Sequence, residues 1–79
     1  MYVDENIRVD DKFDRWPKKL VAEIKEMDAL YEKAEDGNDA WFEYLLREDV
    51  FESTIKQYCI DRKISERDLD LLFRRYGWR

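Results

Sequence analysis

The sequence predicts an all-α fold: a small compact bundle of three to four short helices with an N-terminal extended arm. Three observations carry this expectation. Apolar residues recur at helical spacing through most of the 79-residue chain, the pattern of helices that bury one face. Residues that start or stop helices, among them Pro17, Gly37, Ser65 and Gly77, divide that pattern into segments. Twelve aromatics (3 Trp, 5 Tyr, 4 Phe) supply the apolar surface that disordered chains of similar charge lack.

Residues 1–13 show no helical period. Ile7 and Val9 alternate with polar neighbours, which reads as an extended arm whose Val3, Ile7, Val9 and Phe13 lie against the helices. The tip of the arm is expected to move. Residues 14–79 form the single helical domain. Its first helix is expected near 15–36, capped by Asp14, with Pro17 tolerated in the first turn. Leu20, Ile24, Met27, Tyr31 and Ala34 form its inner stripe. Gly37 is expected to close it in a left-handed conformation.

Trp41, Phe42, Tyr44, Leu45 and Leu46 follow, too densely for one narrow stripe. Near Asp49 the pattern restarts, and Asp49 with Glu52 has the spacing of a capping box. Two helices are therefore expected, near 39–47 and 50–62. The last helix, near 66–76, has Ser65 as N-cap and Ile64 with Leu69 at the staple positions. Leu69, Leu72, Phe73 and Tyr76 form its buried face, and Gly77 ends it. Short loops force these helices to pack on one another.

Composition excludes much chemistry. The chain has no histidine and one cysteine, so no His-based triad, His metal ligand, disulfide or thiolate cluster can form within it. Cys59 sits in an apolar run and reads as a small hydrophobe. Its two glycines stand far apart, which removes a phosphate-binding glycine loop. A calcium loop starting at Asp10 would need glycine and glutamate where Arg15 and Val21 stand. Close acid pairs such as Asp68 and Asp70 are expected in a chain with 20 acids and read as solvated faces. No catalytic residue, cofactor or metal is therefore expected, and the protein reads as a non-enzyme. The acidic N-terminus lacks the apolar stretch of a signal peptide, and no segment has the ~20 apolar residues of a membrane span. A cytoplasmic location without membrane contact is the expectation. Size and composition are similar to those of small accessory proteins of phages and mobile elements, although no motif carries that likeness.

The net charge is −5, and all of the excess lies in residues 1–39. A net acidic protein is repelled by nucleic acid and anionic membranes at long range. Three segments are nevertheless suited to contacts. Residues 51–76 resemble a helix-turn-helix unit: Tyr58 and Cys59 fill its apolar and small positions, and Ile64, Leu69 and Leu72 match its core. Lys63 stands where the turn usually has glycine, and Arg62 where a core residue is usual. The second helix of that unit opens with Glu66 and Asp68, which DNA would repel.

The C-terminal end holds Arg74, Arg75, Trp78 and Arg79, a basic aromatic cluster that could meet nucleic acid or an acidic protein. The plainer reading has its aromatics closing the core. Residues 35–52 carry seven acids and one base among aromatics. Asp39, Trp41, Phe42, Glu43 and Glu48 are the leading contact candidates, since charge steers encounter and aromatics anchor it.

The expected function is a non-enzymatic protein-interaction module, a small regulator or inhibitor that meets a basic protein surface, including one that normally holds nucleic acid. The alternative is a helix-turn-helix-like nucleic-acid binder using the basic C-terminal end. A homodimer through the exposed aromatics is compatible with the first reading.

Overall fold

The computed structural model describes residues 3–34 and 37–78. It is all-α: helices α1 (Lys18–Ala34), α2 (Asn38–Ile60) and α3 (Glu66–Arg75), preceded by one 3-10 turn (Asp10–Lys12). No strand occurs among the described residues. The arm is thus not extended throughout. It bends at residues 4–7, where the Ile7 amide donates to the Asp4 carbonyl at 3.1 Å, and again in the 3-10 turn. It is tied to α3 by the Asp4 amide, which donates to the Arg75 carbonyl at 2.6 Å. Val9 is buried, and Val3 and Phe13 pack against the core as expected, whereas Ile7 is half-buried and stands outside that cluster. The expected moving tip lies at Met1 and Tyr2, outside the described residues.

Helix α1 begins at Lys18 rather than near 15. The Pro17 carbonyl accepts from the Val21 amide at 3.1 Å, the first helical bond, so Pro17 rather than Asp14 holds the N-cap position. The missing N–H of proline costs nothing there. Leu20, Ile24, Met27 and Ala34 are buried. Trp16 extends the same stripe one turn upstream and is buried too.

Helix α2 is continuous over 23 residues, and the expected break near 48–49 is absent. Two apolar sets share this one helix. Trp41, Tyr44, Phe51 and Ile55 face inward, whereas Phe42, Leu45, Leu46 and Val50 are exposed. Gly37 is not the left-handed end of α1. Its φ of 179° is extended, and its carbonyl accepts from the Trp41 amide at the start of α2.

Helices α2 and α3 end in the same way. At α3 the Trp78 amide donates to the Phe73 carbonyl and Gly77 takes a left-handed φ of 74°. At α2 the Lys63 amide donates to the Tyr58 carbonyl and Arg62 takes a φ of 61°. This six-to-one closure needs a left-handed residue, and glycine is the residue that adopts it freely. At Arg62 an L side chain holds that position at a cost of about 1 kcal/mol.

Ser65 caps α3 as its sequence predicts: its hydroxyl accepts from the Asp68 amide at 3.1 Å. Ser65→Ala is expected to lower stability by about 0.5–2 kcal/mol. An unchanged urea midpoint would show that the cap is not what holds this helix end. Leu72 and Tyr76 are fully buried and join Leu20, Ile24, Tyr44 and Ile55 at the centre of the core.

Candidate functional site

The contact candidates of residues 35–52 separate once the helix is formed. Glu35 and Asp36 lie outside the described residues. Asp39 and Glu43 are exposed on α2. Phe42 is also exposed, at 64%. Its outward position follows from helical geometry: Trp41 and Tyr44 turn inward, and Phe42 lies on the opposite side.

Trp41 is half-buried rather than free. Its ring stacks on Tyr44 at 5.6 Å, and both rings meet Tyr31 of α1. Glu48 is not on the surface at all: it is 5% exposed. It lies on the inner stripe between Tyr44 and Phe51, where the helical period places an apolar residue. Burial pushes its carboxyl pKa up, while hydrogen bonds from the Tyr44 hydroxyl and the Trp78 indole pull it down; the net shift is upward. Burial and the Glu48 charge push the Tyr44 phenol well above its ordinary range. Oε2 of Glu48 has no hydrogen-bond partner among the described residues. A charge reversal at Glu48 would therefore disturb the core instead of testing a surface.

Residues outside the predicted contact set complete the outer face. Leu46 is 59% exposed and Val50 is 67% exposed, with Leu45 at the margin. Phe42, Leu46 and Val50 stand four residues apart and form one ridge along α2. Asp39 and Glu43 line one side of it and Asp49 the other. Beside the ridge, Leu46, Val50 and Thr54 face Glu23 and Met27 of α1 across a groove of roughly 360 Å3. Arg47 bridges that groove by pairing with Glu26, and it lies 4.0 Å from Glu43. The signal in the sequence was the crowding of apolar residues over 41–46, which one buried stripe could not absorb.

Two of the four C-terminal candidates, Arg75 and Trp78, are built into the fold. Trp78 packs on Phe51, Phe73 and Tyr76 with centroids 5.2–5.7 Å apart. The Arg75 guanidinium donates to Asp28 at 3.0 Å and to the Ile7 carbonyl at 2.5 Å. The Tyr76 hydroxyl donates to the other Asp28 oxygen at 2.9 Å. Burial and the Asp28 charge push the Tyr76 phenol far above its ordinary range. Arg74 is exposed and pairs with Asp70 at 2.9 Å. Arg79 lies outside the described residues. The aromatic half of this cluster therefore closes the core, as its plainer reading has it.

Among the described residues, no three cysteine or acidic side chains gather as metal ligands, and no helix is long and apolar enough to cross a membrane. No family model, curated protein or solved structure matches this chain.

Proposed function

We propose that the protein is a non-enzymatic interaction module that receives a basic protein partner on the outer face of α2. The observation that carries this reading is the ridge of Phe42, Leu46 and Val50, exposed along one helix and flanked by Asp39, Glu43 and Asp49. Isolated exposed apolar residues are ordinary, but a contiguous apolar strip rimmed by charge is typical of contact surfaces. The nearest base, Arg47, already pairs with Glu26, so the local field stays acidic. Phe42 supplies the aromatic anchor in place of Trp41, whose ring belongs partly to the core.

Charge also argues for a basic partner over a second copy. An antiparallel pair of α2 helices centred on Leu46 would match Phe42 to Val50. The same register sets Glu43 opposite Asp49, and like charges so placed repel.

Two synthetic amphipathic helices with the same apolar face test the proposal, one with lysine flanks and one with glutamate flanks. Fluorescence anisotropy should show saturable binding of the lysine peptide, weakening with salt because exposed charges are screened over ~8 Å at physiological ionic strength. The glutamate peptide should not bind. Phe42→Ser with Leu46→Ser should abolish binding, and Asp39→Lys with Glu43→Lys should slow association. Surface changes of this kind alter stability by less than ~0.5 kcal/mol each, so the fold should survive. Equal binding of both peptides, or binding unaffected by the serine pair, would remove the outer face of α2 as the site. A concentration-dependent dimer lost in the serine pair would replace the basic partner with a second copy.

A further inference from the structure

An open cleft of roughly 870 Å3 lies between the end of α2 and the start of α3, on residues the interaction face does not use. Arg15, Arg62, Lys63 and Arg67 line it. The pairing of arginines elsewhere makes this cluster informative. Seven arginines are described. Five of them pair with carboxylates: Arg8 with Asp10, Arg15 with Asp68, Arg47 with Glu26, Arg74 with Asp70 and Arg75 with Asp28. Arg62 and Arg67 have no carboxylate partner among the described residues, and both line this one cleft. In a chain with 20 acids and 15 bases, unpaired arginines are the less expected state, and here they occur together with Lys63 between them in sequence.

Two acids also border the cleft, Glu66 and Asp68. Asp68 is fully engaged: one oxygen accepts from Arg15 at 2.8 Å and the other from the Trp16 indole at 2.8 Å. Among the residues lining the cleft, Glu66 alone remains to balance Arg62, Lys63 and Arg67. The backbone adds a second observation. Arg62 occupies the left-handed position that Gly77 fills at the end of α3, so an arginine side chain is set beside the cleft where glycine would relax the turn.

We infer that this cleft binds a small phosphate-bearing molecule of about nucleotide size. Planar guanidinium groups match phosphate oxygens in bidentate pairs, which is why arginine suits such ligands. Ile60, 71% exposed, and the neighbouring Cys59 give an apolar wall for the organic part of the ligand. The volume falls within the range of about 300–1,000 Å3 typical of small-molecule sites. The net charge of −5 opposes a long polyanion more than a single di- or monophosphate, because repulsion accumulates along the polymer.

Titration of the full chain, followed by amide NMR shifts, tests the inference with three probes: inorganic pyrophosphate, adenosine diphosphate and a single-stranded DNA dodecamer. Pyrophosphate and the diphosphate should move the amides of residues 60–68 saturably, and the diphosphate should bind more tightly. Arg62→Gly and Arg67→Gln should each weaken binding about ten-fold, the effect of losing one charge-assisted hydrogen-bonding group. Arg62→Gly should at the same time raise the thermal midpoint, so its loss of binding cannot come from unfolding. The Phe42→Ser, Leu46→Ser pair should bind both phosphates unchanged, which keeps this test independent of the α2 face. No saturable shift at millimolar pyrophosphate would overturn the inference, as would shifts that persist in both arginine variants. Tighter binding of the dodecamer than of the diphosphate would also overturn it, by assigning the cleft to nucleic acid.

Discussion

Asp28→Ala is expected to destabilise the protein by about 1.5–3 kcal/mol, the range for losing hydrogen bonds that involve a charged group, because the pair with Arg75 is buried on the arginine side and one-third exposed on the aspartate side. Asp28 accepts from Arg75 with one oxygen and from Tyr76 with the other. The Arg75 side chain is only 12% exposed and Asp28 is 34% exposed, so the guanidinium would lose its counter-ion and regain only part of its hydration. The Ile7 and Asp4 carbonyls would still accept from it, which limits the loss further. Because this one carboxylate joins α1 to α3 and, through Arg75, to the arm, the loss should appear as a single lowered urea midpoint. Asp28→Asn keeps an acceptor and should lose less. A loss below about 1 kcal/mol for the alanine variant would mean that the carbonyls alone are sufficient to hold the guanidinium.

Asp68→Ala should cost about 2–3 kcal/mol, since it leaves the buried Trp16 indole N–H without an acceptor and removes the pair with Arg15. Its pH dependence follows from the direction of the shift. Burial pushes the Asp68 carboxyl up, but hydrogen bonds from Trp16 and Arg15 and the Arg15 charge together outweigh it and hold the carboxyl below its usual range. A depressed folded pKa gives stability that is present above the unfolded value of about 3.9 and is lost as pH falls below it toward the folded value. The gap between wild type and Asp68→Ala should therefore be full at neutral pH and should narrow below about pH 4. Urea titrations at pH 7 and pH 3 followed by tryptophan fluorescence measure it. A gap that stays constant across this range would show that the carboxylate charge contributes nothing.

The ends of α3 were legible because the signals there are local. Ser65 and Gly77 act within one turn of where they stand, and each does what its chemistry predicts. The inner stripe of α1 was legible for a related reason: only one of its faces is apolar. Helix α2 has two, which is why its sequence predicts a break that the structure lacks. Phe42, Leu46 and Val50 on the outside overlay the period of Tyr44, Phe51 and Ile55 on the inside. The sum imitates a phase shift, and Asp49 with Glu52 imitates a cap at the point of shift. Glu48 deepened the error, because a carboxylate on the inner stripe hides the register that an apolar residue would have marked. Its polar contacts come from Tyr44 and from Trp78, some thirty residues away, and no local pattern contains that second partner. The signal at Arg62 and Lys63 was present as a departure from helix-turn-helix spacing. Its meaning depended on which cations find carboxylates in three dimensions.

The continuity of α2 has a mechanical consequence. At 1.5 Å per residue its 23 residues span about 34 Å, nearly the whole 36 Å long axis of the molecule. Phe42 stands near one end of this rod and Ile60 at the other, separated by about 27 Å of rigid helix. Val50, the end of the ridge nearer the cleft, lies about 15 Å from Ile60 along the same helix. A rigid helix therefore fixes the distance and relative bearing of the ridge and the cleft, and neither can move without the other.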